Sequence, residues 1–160
     1  RDVERSRGLG DVYKRQVVCR ADTSNLGIGL DSFHILAAKT PLDALELIDR
    51  DKIFLVQLSD FMWHDAPTFE ERMATARTFR VFPGEGVHSE RLADLVLRLD
   101  RLGYRGDYSF EVFNDDYQQL PLDTVAERAR RSALWLNDDV LHRPVPLPAW
   151  ARTGVRGTSV

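Results

Sequence analysis

Three oxygen-bearing side chains, Asp31, Gln57 and Glu111, interrupt or close three short apolar runs: Leu26-Gly27-Ile28-Gly29-Leu30-Asp31, Ile53-Phe54-Leu55-Val56-Gln57-Leu58 and Tyr108 to Phe113. Two carboxylates and an amide suit a hard or borderline divalent ion such as Mg2+, Mn2+ or Co2+. A bound metal would also explain why such groups tolerate burial. Taken one at a time, each has a plainer reading. Asp31 would cap a neighbouring helix, Gln57 would satisfy backbone groups, and Glu111 would pair with an arginine such as Arg80. Taken together, three polar groups at equivalent strand ends favour a site. His34, three residues past Asp31, is a surface or capping histidine unless Asp31 holds a metal; beside one it becomes a proton-transfer or substrate-binding group. Arg80 is either a solvated charge or a clamp for a carboxylate or phosphate.

Alternating strands and helices would position these residues. The Leu26–Asp31 run reads as a strand ending on its carboxylate. Thr40-Pro41-Leu42-Asp43 predicts a cap, a proline at the first helical position and a short helix with Leu45 and Ile48 on the face of Leu42. The nearly continuous apolar run Ile53–Leu58 predicts a parallel strand covered on both faces. A helix follows around Phe69 to Ala76, then a short strand within Phe79–Phe82 that Pro83 and Gly84 terminate. Ser89 is read as the cap of the clearest helix, with Leu92, Leu95, Val96, Leu99 and Leu102 on one face and Gly103 as its stop. Tyr108–Phe113 reads as the fourth strand. Pro121–Leu136 closes the series as a helix with Val125, Ala129, Ala133 and Leu136 inward.

Repeated strand-helix units require a parallel sheet with right-handed crossovers. An open four-stranded doubly wound domain fits that count. The polar residues favour a (β/α)8 barrel instead, because side chains alternate along strands and barrel active sites gather at the C-terminal strand ends. By that alternation Asp31 shares a face with Gly27 and Gly29, Gln57 with Ile53 and Leu55, and Glu111 with Ser109 and Phe113. The two glycines would leave room in a barrel interior. The expected architecture is α/β: the C-terminal half of a TIM barrel, about four parallel strands with flanking helices, truncated at the N-terminus. Residues 1–16 read as a non-native or disordered segment, 17–141 as the partial barrel and 142–160 as a proline-containing tail or linker.

Composition narrows the partners. The 160 residues are 43% apolar and 29% charged with a net charge of −3, and Arg is mixed with Asp and Glu along the chain. No basic stripe invites nucleic acid or an anionic membrane. Cys19 stands alone, which excludes an internal disulfide and a cysteine-rich zinc site, and the expected location is cytoplasmic. The expected partner is a small-molecule substrate. A half-barrel would expose two strand edges and an apolar interior, so self-association, aggregation or dependence on a missing half is expected.

Leu30-Asp31-Ser32-Phe33-His34, Phe82-Pro83-Gly84-Glu85-Gly86 and Phe110-Glu111-Val112-Phe113-Asn114 resemble the sugar-phosphate isomerase/epimerase family, the xylose-isomerase-like barrels, from about Val17 to Leu136. Adding Phe54–Asp60, Phe79–Gly84 and Glu111–Asp115, the order of motifs is most similar to the 3-dehydroshikimate dehydratase branch, often fused to a C-terminal hydroxyphenylpyruvate-dioxygenase-like domain. The resemblance implies a four-ligand divalent-metal site with Asp31, Gln57 and Glu111 as three ligands. It places the fourth, a glutamate, on a strand before Asp31's that this chain does not contain. Gln57 stands where many sugar epimerases of the family carry histidine, which favours the dehydratase branch.

The implied reaction removes a proton beside the ketone of 3-dehydroshikimate through an enolate-like species and then water, giving protocatechuate. His34 is the implied acid/base or hydroxyl contact, and Arg80 the implied clamp on the substrate carboxylate. The truncated chain is expected to be inactive alone. A sugar or inosose isomerase, epimerase or dehydratase on the same barrel is the near alternative. A DNA-repair endonuclease barrel would need a histidine-rich zinc cluster and a basic surface, and a noncatalytic fragment is the remaining reading.

Overall fold

The computed structural model describes Val18, Arg20, Ala21 and residues 23–143; the expectations for 1–16 and for the proline-containing tail fall outside these residues apart from His142 and Arg143. The order is β1 (Ile28–Asp31), α1 (Ser32–Ala37), 3-10 turns at Leu42–Leu47 and Arg50–Lys52, β2 (Ile53–Leu58), α2 (Phe69–Thr78), α3 (Ser89–Leu102), β3 (Tyr108–Phe110), a 3-10 turn at Tyr117–Gln119, and α4 (Leu122–Leu134), which runs on into a π-helical segment at Trp135–Val140.

The three strands form one parallel sheet in the order β1-β2-β3. One face carries Leu30, Val56 and Leu58 into a core with Phe33 and Leu36 of α1 and Leu92, Leu95, Val96 and Leu99 of α3. Those α3 leucines recur at helical spacing, so a single face of the helix is removed from water. The opposite face of the sheet is open: Leu55 is 36% exposed and, beyond the end of β3, Phe113 is 52% exposed.

Several expectations change. The sheet has three parallel strands among the described residues, not four. The Phe79–Phe82 segment instead makes isolated antiparallel bridges, Val81 with Asp60 and Phe79 with Asn114, so it crosses between the exits of β2 and β3. β2 is covered on one face only. Ile53 packs in the core rather than beside Leu55, because the β1–β2 register shifts between Ile28 and Gly29, which pair with Ile53 and Leu55 and pass over Phe54. Leu42–Leu47 is a 3-10 helix, and Pro41 at its start makes no side-chain cap.

Ser89 is not the cap of α3 but its first residue. Asp60, at the exit of β2, takes the capping role: its carboxylate accepts from the backbone N–H groups of Phe61 (2.7 Å) and His88 (3.2 Å) and from the Ser89 hydroxyl (3.1 Å). The α3 stop is as expected, with Gly103 at φ 90°, a left-handed conformation that suits glycine.

Candidate active site at the strand exits

The parallel register places Asp31 opposite Gln57, and Gln57 opposite Ser109, so the polar groups line up across neighbouring strands on the face not covered by helices. Glu111 follows β3 directly, and its N–H still donates to the Leu58 carbonyl at 3.1 Å. Gly29 lies one step below Asp31 on the same face. A methyl group built there would meet nothing within 4 Å, so this glycine does leave space. Gly27 does not: the Phe54 ring occupies the position of its missing side chain.

Arg80 ties the site together. Its Nη1 donates to Asp31 Oδ2 at 3.0 Å and to Glu111 Oε2 at 3.1 Å, with Ser59 Oγ at 3.4 Å. The residue is only 4% exposed. Its Nε donates to the Ala76 carbonyl at 2.8 Å, and its guanidinium carbon lies 4.7 Å from the centre of the Phe33 ring and 5.8 Å from that of Phe113. The backbone is held as firmly. The Arg80 N–H donates to the Phe113 carbonyl, and Asn114 Nδ2 donates to the Arg80 carbonyl at 2.8 Å.

Asp31 is fixed from a second side, since its Oδ1 accepts from the Phe33 N–H at 2.9 Å and thereby caps α1. His34 Nε2 stands 3.5 Å from Asp31 Oδ2 while the imidazole itself is largely in solvent. The Gln57 amide has no hydrogen-bond partner among the described residues. It is the free oxygen donor of the set, half-buried and in register with Asp31.

The structure thus brings Asp31, His34, Arg80 and Glu111 into one cluster, with Gln57 beside it on the adjoining strand. Both plainer readings of the carboxylates are present too: Asp31 caps a helix, and Glu111 pairs with Arg80. Ser59, Asn114, Phe33 and Phe113 are contributors that reading the sequence alone left unassigned. The only signal for them was their place inside the Phe54–Asp60, Leu30–His34 and Glu111–Asp115 motifs.

The donor set fits a divalent ion by its chemistry. Asp31 and Glu111 already hold a cation between them, and an unpartnered amide oxygen stands alongside. Among the described residues no three His, Cys, Asp or Glu side chains gather closely enough to hold a metal by themselves, so Gln57 is needed to complete even a partial shell. His64 and His88, far apart in sequence, have ring centres 6.2 Å apart, but they join no such group. A cavity of about 420 Å3 lined by Arg50, Ile53, Gly103 and Arg105 lies at the N-terminal end of β2, at the other end of the sheet from this cluster. It holds none of the residues just described.

A second network braces the loop beyond Arg80. Glu85 Oε2 accepts from the Tyr117 hydroxyl at 2.6 Å and from Arg128 Nη2 at 3.1 Å. Arg128 Nε stands 3.0 Å from Glu85 Oε1 but off line, leaving its N–H without an acceptor. Burial first, and the bond to Glu85 second, push the Tyr117 phenol up to about 12. Ser132 of α4 donates to the Pro83 carbonyl at 2.5 Å, so α4 fixes the loop that follows Arg80.

The family model described as xylose isomerase-like TIM barrel matches residues 15–138. The chain belongs to that family. Within it, the chain is 37% identical over 123 residues to 3-dehydroshikimate dehydratase of Pseudomonas putida, covering 76% of this chain and 18% of that protein. It is 30% identical over 122 residues to inosose isomerase of Halalkalibacterium halodurans, covering 76% of this chain and 40% of the isomerase. Among solved structures it superimposes on a xylose isomerase-like TIM barrel/4-hydroxyphenylpyruvate dioxygenase fusion protein with a TM-score of 0.68 and 33% identity, over 84% of this chain and 21% of that one. The IolI protein with a binding zinc atom matches at a TM-score of 0.64 and 23% identity, over 79% of this chain and 42% of that one, a likeness of fold. The chain therefore spans about a fifth of the dehydratase and less than half of the isomerase. These family members are dehydratases and isomerases. No helix among the described residues is long and apolar enough to cross a membrane.

Proposed function

We propose that this chain is the part of a divalent-metal-dependent 3-dehydroshikimate dehydratase that carries three of its metal ligands, Asp31, Gln57 and Glu111. The observation that carries the reading is the pairing of Asp31 and Glu111 through Arg80 at the strand exits, with the free Gln57 amide in register, in a chain 37% identical to that enzyme.

A bound Mg2+, Mn2+ or Co2+ would supply Lewis-acid stabilisation of negative charge on substrate oxygens. The chain's own residues do the rest. Arg80 Nη2 has no partner among the described residues, and the Phe33 and Phe113 rings flank its guanidinium; this is the atom offered to the substrate carboxylate. His34, exposed and 3.5 Å from Asp31, is placed to take or return a proton, with the carboxylate orienting the imidazole. Removal of a proton beside the ketone and departure of water convert 3-dehydroshikimate to protocatechuate.

The open face of the sheet, with Leu55 and Phe113 exposed, is the surface that further strands of a barrel would cover. Catalysis is accordingly assigned to the assembled barrel and not to this segment alone. The inosose isomerase relative supports a second reading on the same site, proton transfer beside the carbonyl of a sugar-like ring. Grafting residues 17–141 into the Pseudomonas putida dehydratase in place of the matching segment separates the two. Protocatechuate from 3-dehydroshikimate, lost on Glu111→Gln, supports the dehydratase. A folded chimera that makes none, but interconverts inososes, replaces it with the isomerase.

A further inference from the structure

Arg80 raises a question that the ligand assignment leaves open, because its Nη1 already stands within hydrogen-bond distance of both carboxylates. We infer that Arg80 is a resident counter-ion of the metal site: a positioning residue whose charge holds Asp31 and Glu111 together without metal and weakens divalent-cation binding when metal arrives. The inference rests on the metal reading above.

Three observations carry it. Arg80 is buried, so its charge acts through little solvent. Among the described residues its only carboxylate partners are two of the proposed ligands. Its backbone is fixed by Phe113 and Asn114, and its side chain is held by the bond from Nε to the Ala76 carbonyl, which it would have to give up to swing away. Glu111 depends on it most, since Arg80 is the one hydrogen-bond partner of the Glu111 side chain among the described residues.

Two effects of removing the charge oppose each other. Outer partners of metal ligands usually strengthen binding by orienting them, and here Glu111 would lose its holder. Losing such a partner costs about 10- to 100-fold in affinity. Removing a unit positive charge within about 5 Å of an incoming dication is worth on the order of a thousandfold or more at a partly buried site. Charge wins, and loss of Arg80 tightens metal binding.

The test uses the whole chain, with free Mn2+ followed by its electron paramagnetic resonance signal at fixed pH and salt, and folding checked by circular dichroism. Arg80→Gln and Arg80→Met should bind Mn2+ about tenfold or more tightly than the unaltered chain. Arg80→Lys, which keeps the charge, should stay within about threefold. A folded Arg80→Gln that binds equally or more weakly overturns the inference. The Glu111→Gln control isolates the parent reading: weakened binding means the ion sits at the proposed ligands, and unchanged binding removes both the metal site and the inference. Absence of Mn2+ binding by every form overturns the inference, and the Glu111→Gln chimera then decides the ligand reading by itself. If the neutral variants fail to fold, the unaltered chain decides. Saturating Mg2+ should speed hydrogen exchange at the Arg80 guanidinium as its carboxylate bonds are given up, and unchanged protection overturns the inference.

Discussion

Arg80 meets Asp31 across 49 residues of sequence, with Nη1 3.0 Å from Oδ2, and that contact joins the exit of the first strand to the segment crossing between the exits of the second and third. The same nitrogen reaches Glu111, so one buried guanidinium sets the spacing of two carboxylates that no hydrogen bond links directly. A barrel enzyme needs its strand ends held in register before substrate arrives, and here the register is held by charge as well as by the backbone ladder.

Asp31 carries more of this arrangement than Glu111. It pairs with Arg80, caps Phe33 and is the better buried of the two, whereas Glu111 has the single bond to Arg80. Asp31→Ala should cost about 3–5 kcal/mol, since it leaves a buried cation half-paired and an N–H orphaned. Glu111→Ala should cost about 1–3 kcal/mol. Urea unfolding of the two variants checks the order, and the reverse order would assign the main support of Arg80 to Glu111.

Asp60 is fully buried and fully bonded, and burial raises its carboxyl above the ordinary value of 3.8 against the pull of the Phe61, Ser89 and His88 bonds. A raised folded value means that protonation favours the fold. This contribution is fully present below about 3.8 and is lost as pH rises through the higher folded value. Asp60→Asn keeps an acceptor for Phe61 and His88, so it should change stability little at neutral pH. Measured from pH 3.5 to 6, a range bracketing that about 3.8 value, the unaltered chain should gain on Asp60→Asn as pH falls. Asp60→Ala should lose about 1–3 kcal/mol, because two buried N–H groups lose their acceptor. Chemical denaturation across that pH range reads all three.

What the sequence makes legible is local. Six residues, Ile53–Leu58, form the expected strand because a continuous apolar run has few other uses, and Ser89–Leu102 forms the expected helix because its leucines share one face. The misplaced features depend on distant partners. Ser89 lost its capping role to Asp60, which is remote in sequence and adjacent only once β2 and α3 are packed. Tyr108–Phe113 stops as a strand at Phe110, because the Phe113 carbonyl is taken by Arg80 and Asn114 bridges to Phe79. For the site, residue type and strand-end position nominate Asp31, Gln57 and Glu111, whereas His34 enters through its place three residues past Asp31 and Arg80 through its place before Phe82-Pro83-Gly84. The bonds that Ser59 and Asn114 make to Arg80 arise from the tertiary crossing of Phe79–Phe82.

Tyr117 offers a spectroscopic readout of the loop after Arg80. Its phenol should ionise at about 12, delayed by burial and then by Glu85. The raised value means that its contribution to stability is present below the ordinary value of 10 and fades as pH rises toward 12. Ultraviolet difference titration should show one fewer tyrosine ionising late in Tyr117→Phe. The same variant should lose about 1–3 kcal/mol through the broken bond to Glu85.

Gly29 and Gly84 should respond oppositely to alanine. Gly84 has φ 90°, and an added methyl would lie 3.2 Å from the Trp135 ring, so Gly84→Ala should cost about 1–3 kcal/mol from backbone strain and crowding together. Gly29 has open space above it and sits in a strand, where alanine loses less backbone entropy than glycine, so Gly29→Ala should be neutral or stabilise by up to about 1 kcal/mol. That space lies on the face that carries Asp31 and Gln57. If it belongs to the substrate or the metal shell, the chimera with Gly29→Ala should keep its melting temperature and lose turnover. Full turnover would place the substrate away from β1 and leave Gly29 with no role in the site.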